Sequence, residues 1–149
     1  MNSSRSGERK PRVTRVNRVV LDSSAVLAML LNEPGGERVD SLLDALEAVS
    51  GVQAAISSVN WCEILTRMQR EKVGLSAERL SAILVGVDLH PFEKVGAEVA
   101  TSYALVSQAL SLGDRACLAL AKTLHATAWT TERLWTRVPL DVPIELIRD

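Results

Sequence analysis

The chain has 149 residues, 47% hydrophobic and 23% charged, with a formal net charge of −1; that balance describes one ordinary globular domain able to build a core. No apolar run approaches the roughly 18 residues of a membrane span, the longest, Ala25 to Leu31, stopping at Asn32-Glu33-Pro34-Gly35-Gly36, and the charged N-terminus lacks the apolar core of a secretory signal. Two cysteines, Cys62 and Cys117, make no disulfide framework and suit a reducing cytoplasm, so membrane, extracellular and disordered classes are set aside; with aromatic residues only at Trp61, Phe92, Tyr103, Trp129 and Trp135, so is a base-stacking RNA platform.

Charge is distributed unevenly. Residues 1–18 hold Arg5, Arg9, Lys10, Arg12, Arg15 and Arg18 against Glu8 alone, while the remainder carries 11 basic and 17 acidic residues. A Ser-, Gly- and Arg-rich stretch without apolar periodicity reads as a flexible basic tail over 1–16, ahead of a folded domain over 17–149. Such a tail is either a solvated leader or a contact for nucleic-acid phosphates.

Val16 to Leu21 ends in the apolar run Val19-Val20-Leu21 and stops at Asp22-Ser23-Ser24, which predicts a strand followed by a helix cap. Ala25 to Leu31 predicts a buried helix, and Glu37 to Val49, with Val39, Leu42, Leu43, Leu46 and Val49 at helical spacing, an amphipathic one. Ala54 to Ser57 is a short buried strand, Val59 to Arg70 and Ser76 to Leu84 are helices, and Val87 to Leu89 is a strand closed by His90-Pro91. Glu93 to Leu110 predicts one long helix; Gly113 opens another over Asp114 to Leu124, whose Ala116 to Ala121 run must be buried. Ala126 to Thr131 and Val142 to Arg148 are the last strands. Strands separated by helices require crossovers, hence an α/β fold with a mostly parallel sheet covered on both faces.

Ligands of such sheets bind beyond the carboxyl ends of the strands. Asp22 follows the first strand, Glu63 lies early in the helix after Ile56, Asp114 opens the helix after Gly113, and Glu132 follows Trp129-Thr130-Thr131. Each has a plain structural reading: Asp22 as a helix cap, Glu63 paired with Arg67, Asp114 on a helix dipole, Glu132 as a solvated turn residue. Together they repel one another unless a cation holds them. An all-oxygen set suits Mg²⁺ or Mn²⁺, whereas His90, His125, Cys62 and Cys117 show no zinc spacing and read as structural. A cation of that kind lowers the pKa of a bound water and stabilises charge on a phosphodiester.

Val19 to Ala25 followed by Leu31-Asn32-Glu33-Pro34-Gly35 resembles the opening of PIN-domain nucleases, specifically VapC-type toxins of bacterial toxin–antitoxin pairs. Ile56 to Glu63 resembles their second acidic motif, Leu112 to Ala121 is the closest match, at the third, and Thr130 to Trp135 falls where the family has Thr-x-Asp. The likeness runs from about Val19 to Arg148. It implies a three-layer α/β/α sandwich and a metal-dependent endoribonuclease, with Mg²⁺ or Mn²⁺ as cofactor, RNA as substrate, a cognate antitoxin as partner and a homodimer as assembly. By carry-over, Asp22, Glu63 and Asp114 are the catalytic, metal-holding acids, Glu132 stands in for the fourth, and Thr130 and Ser24 orient carboxylates; for Ser24 a plain helix cap serves equally. Asn60 and Arg115 also match family motifs but receive no role. Two departures stand out: the basic tail, and Glu in place of Asp at 132. Two other functions share these features. An Asp-based phosphohydrolase of small phosphomonoesters would want a second Asp where Ser24 stands, and a non-catalytic PIN-like module would bind RNA or protein without cleaving.

Overall fold

In the computed structural model the described residues are 17–149, so the expected basic tail and the Val16 start of the first strand lie outside them. Along the chain come β1 (Asn17–Leu21), α1 (Ser23–Leu30), α2 (Gly36–Ala48), β2 (Val52–Ser57), α3 (Ser58–Arg70), α4 (Ala77–Ile83) and β3 (Val87–His90). Then follow α5 (Lys94–Ala104), α6 (Leu112–Leu124), β4 (Thr127–Thr130), a 3-10 turn (Arg133–Thr136) and β5 (Ile144–Leu146). Every strand pairing is parallel, in the spatial order β3-β2-β1-β4-β5. The sheet therefore starts in the middle at β1, builds outward through β2 and β3, and then builds the other way through β4 and β5. That reversal between β1 and β4 opens a crevice at their carboxyl ends, where an open parallel sheet takes its ligand.

Alternation along β1 divides the core into two. Val19 and Leu21, with Ala54 and Ile56, pack with Val26, Val39, Ile64 and Leu80 of α1 to α4. Val20, with Ala55 and Ala128, packs with Tyr103 of α5 and with Cys117, Leu118 and Ala121 of α6. Helices on both faces of one parallel sheet make the α/β/α sandwich. Side chains such as Ile56, Ile64 and Leu80 are fully buried, each contributing about 1.5–3 kcal/mol by leaving water. Between α1 and α2 the chain turns at Gly35, whose φ of +91° favours glycine. None of the helices among the described residues is long and apolar enough to cross a membrane.

Two elements differ from expectation, and a third was not anticipated. The helix predicted over Glu93 to Leu110 stops at Ala104. Tyr103 O accepts from both Val106 N and Ser107 N, and Ser107 Oγ accepts from Ala109 N, so a side-chain hydroxyl diverts the backbone from the helical ladder. The turn leaves Leu105 92% exposed and returns Leu110 to the core. The last strand is also shorter, Ile144–Leu146 rather than Val142 to Arg148. Finally, the 3-10 turn after Glu132 had no apolar repeat to announce it, yet it buries Trp135 to 1% exposure.

Candidate active site

Asp22 leaves β1 in an extended conformation and occupies the N-cap position of α1 without a side-chain cap bond. Its carboxylate is spent on other partners. Ser24 Oγ donates to Oδ2 at 2.6 Å and Thr130 Oγ1 donates to the same oxygen at 3.0 Å, while Asn60 Nδ2 lies 3.5 Å from Oδ1. Ser24 Oγ in turn accepts from Thr131 N, fastening the start of α1 to the end of β4. Asp22 is only 2% exposed. Burial pushes its pKa up from 3.8 to about 7, Asp114 and Glu63 add repulsion, and the two hydroxyls pull partly back.

Glu63 reaches the same place from the second turn of α3, which Ser57 caps by accepting from Val59 N. Its Oε1 accepts from Ser23 Oγ at 2.9 Å and from Asn60 Nδ2 at 3.1 Å. Arg67, one turn away, is bonded to Glu71 at 2.8 Å, so the local Glu63–Arg67 pair does not form. Gly113 makes room for the carboxylate: a Cβ there would collide with Glu63 Oε1. Asp114 opens α6 in a capping box, its Oδ2 accepting from Ser111 N at 2.9 Å while Ser111 Oγ accepts from Asp114 N at 3.1 Å. Its charge still presses on Asp22. Glu132 is exposed; its backbone N donates to Thr130 Oγ1, and its carboxylate is not among the charges acting on Asp22.

All four acids line one cleft of about 460 Å³, together with Glu33, Arg67 and Arg148. A larger trough of about 650 Å³ along α3, with Ser58, Thr66 and Arg70 in its wall, shares Ser23, Leu27, Glu63 and Arg67 with that cleft. Both cleft arginines are engaged, Arg67 with Glu71 and Arg148 with Glu33. The sequence pattern of the PIN domain family matches residues 19–139, most of the chain.

The chain belongs to the PIN domain family.

Solved structures share its fold. The toxin–antitoxin complex from Klebsiella pneumoniae is 19% identical with a TM-score of 0.58, covering 76% of this chain and 86% of that one. VapBC2 from Rickettsia felis, bound to a DNA fragment from their promoter, is 17% identical with a TM-score of 0.62, covering 86% and 97%. FitAcB from Neisseria gonorrhoeae is 19% identical with a TM-score of 0.57, covering 85% and 95%. No curated protein matches the chain.

PIN-domain nucleases generally use a divalent metal, and the donor chemistry here fits a hard cation: the cleft offers carboxylates and hydroxyls, and neither a His nor a Cys lines it. Among the described residues no three His, Cys, Asp or Glu side chains are drawn into a coordination cluster. Asp114 is turned toward its cap and Glu63 toward Ser23 and Asn60. The burial of the Asp22 charge, made worse by repulsion from Asp114 and Glu63, is what a cation would relieve. Three side-chain contacts of this PIN domain escaped sequence reasoning. Ser23 looked like part of a cap, Gly113 like a helix opener, and Asn60, although it sits in the second acidic motif, had no assigned partner. Only the fold brings Ser23 and Gly113 against Glu63, residues far apart in the chain.

Proposed function

We propose that this PIN domain is a metal-dependent endoribonuclease and the toxin of a toxin–antitoxin pair, with RNA as substrate, a cognate antitoxin as partner and a homodimeric assembly. The observation that carries the reading is Asp22: a buried carboxylate at the carboxyl end of the central strand, pressed by Glu63 and Asp114 in one open cleft. Asp22, Glu63 and Asp114 would hold Mg²⁺ or Mn²⁺, and Glu132 would join them from the cleft wall. When bound, the cation supplies a more acidic water and stabilises negative charge on the phosphodiester. Ser24 and Thr130 fix the rotamer of Asp22 by donating to Oδ2, and Ser23 fixes Glu63. The trough along α3 leaves room for the strand beyond the scissile bond, with Ser58 and Thr66 hydroxyls and the Arg70 guanidinium facing its phosphates.

Asp22 is poorly suited to act as the nucleophile of a phosphohydrolase, because Oδ2 takes two hydrogen bonds and the group is almost wholly buried. The resemblance of the fold to those of toxin–antitoxin complexes supports the toxin role. The test is incubation of mixed RNA with the protein in Mg²⁺, Mn²⁺ or EDTA. Cleavage in the metals and none in EDTA is expected; cleavage undiminished by EDTA refutes the mechanism. Growth arrest on expression, relieved by a small partner encoded beside it, tests the toxin role separately.

A further inference from the structure

Asn60 is fully buried on α3, one turn before Glu63, so both side chains project from the same face of the helix. Its amide nitrogen meets acceptors from three elements: Glu63 Oε1 at 3.1 Å on α3, Gly113 O at 3.0 Å in the first turn of α6, and Asp22 Oδ1 at 3.5 Å after β1. Gly113 O can only accept and Glu63 Oε1 already accepts from Ser23 Oγ, so the orientation of the amide is fixed; turned over, its oxygen would face both oxygens. The cost appears at the other end, where Asn60 Oδ1 is buried without a partner. An apolar side chain of the same volume would fill the space without stranding an acceptor, so packing alone does not explain an asparagine here.

We propose that Asn60 is the positioning residue of the acidic site, its amide holding Glu63 and Asp22 convergent and tying them to the helix that carries Asp114. The amide suits that task chemically. Carboxylates drawn together repel, and a Lys or Arg between them would hold them only by supplying the positive charge that a divalent cation must bring. A neutral donor bridges them and leaves their charge for the cation. Its bond to Gly113 O sets the start of α6 against α3, where the missing Cβ of Gly113 makes room for Glu63. This assignment rests on the proposed function.

The experiment is a titration of the full metal-free chain with Mn²⁺, followed by the electron paramagnetic resonance of the free ion, for wild type, Asn60→Leu and Met68→Ala. Met68 is buried beneath the same helix, away from the cleft, and serves as the control for lost stability. Asn60→Leu is expected to weaken Mn²⁺ binding by about 10–100-fold, the usual loss when a carboxylate ligand loses its supporting hydrogen bond. Its kcat at limiting Mn²⁺ should fall with KM for RNA unchanged, and excess Mn²⁺ should restore kcat. Met68→Ala should lower the melting temperature and leave Mn²⁺ affinity alone. Wild-type affinity in Asn60→Leu, or an equal loss in Met68→Ala, overturns the assignment while the nuclease reading stands. A wild-type chain that binds no Mn²⁺ overturns both. If Asn60→Leu fails to fold, Asn60→Thr, whose single hydroxyl is too short to bridge three elements, must still bind Mn²⁺ more weakly; wild-type affinity there also overturns it.

Discussion

Between about pH 4 and pH 7, Asp22 makes the stability of the metal-free protein depend on pH. Its pKa lies near 7 in the folded chain and at 3.8 by ordinary carboxylate chemistry, so between about pH 4 and pH 7 the folded state binds a proton that the unfolded chain has released. The stability this supplies is complete below about pH 4 and is lost as pH rises through 7. In EDTA, the melting temperature of wild type relative to Asp22→Asn should therefore fall from pH 5 to pH 8, with the variant the more stable at pH 8; parallel thermal melts with no pH-dependent gap would contradict it. Gly113→Ala separates fold from site. Alanine is favoured over glycine within a helix by about 1 kcal/mol, and the atom its Cβ would strike is the end of the Glu63 side chain. The variant should melt within about 1 kcal/mol of wild type yet lose RNA cleavage, measured at matched metal. At Glu132 the carboxylate is exposed and one methylene longer than the Asp of the family pattern. Mg²⁺ tolerates misplaced ligands poorly, so activity should be higher in Mn²⁺ and Glu132→Asp should gain in Mg²⁺. Glu132→Gln should lose less than Asp114→Asn; identical metal titrations for wild type and both Glu132 variants would remove this residue from the site.

Elements rather than residues decide how the acids are presented. The capping box at Ser111 and Asp114 starts α6 and fixes the backbone from which Asp114 projects. Ser111→Ala should cost about 1 kcal/mol of stability, read as a lowered melting temperature, and should loosen Asp114. The strands and most helices were legible because their signals are local: Val19-Val20-Leu21 before Asp22-Ser23-Ser24, or the apolar repeat over 39–49. The end of α5 was not, since Val99, Tyr103, Val106 and Leu110 keep helical spacing across the point where Ser107 diverts the backbone. The four acids were equally visible, each falling just after a strand or early in a helix. Their partners were not. Ser24 meets Thr130 and Thr131 across more than a hundred residues, and Asn60 meets Gly113 across 53; no local pattern encodes such pairs.

At the scale of the molecule, the strand order gathers chemistry that the sequence scatters. Because β1 and β4 are neighbours built at opposite ends of the chain, Asp22 and Glu132 come to line one cleft, with α3 and α6 bringing Glu63 and Asp114 into it. The described core begins at β1, whose Asn17 N already bonds Gly51 O at 2.7 Å. We therefore propose 17–149 as the folding unit, so that a chain starting at Asn17 should melt as the full chain does and cleave RNA at the same saturated rate; an insoluble product would contradict that boundary. The proposed function requires Asp22, Glu63 and Asp114 to hold jointly the cation used in phosphodiester hydrolysis. Its most direct test is the single-turnover rate of RNA cleavage in saturating Mn²⁺ for wild type and Asp22→Asn, with folding of both verified by thermal melts. A loss of orders of magnitude in a folded Asp22→Asn protein is the predicted result; an undiminished rate would contradict the claim.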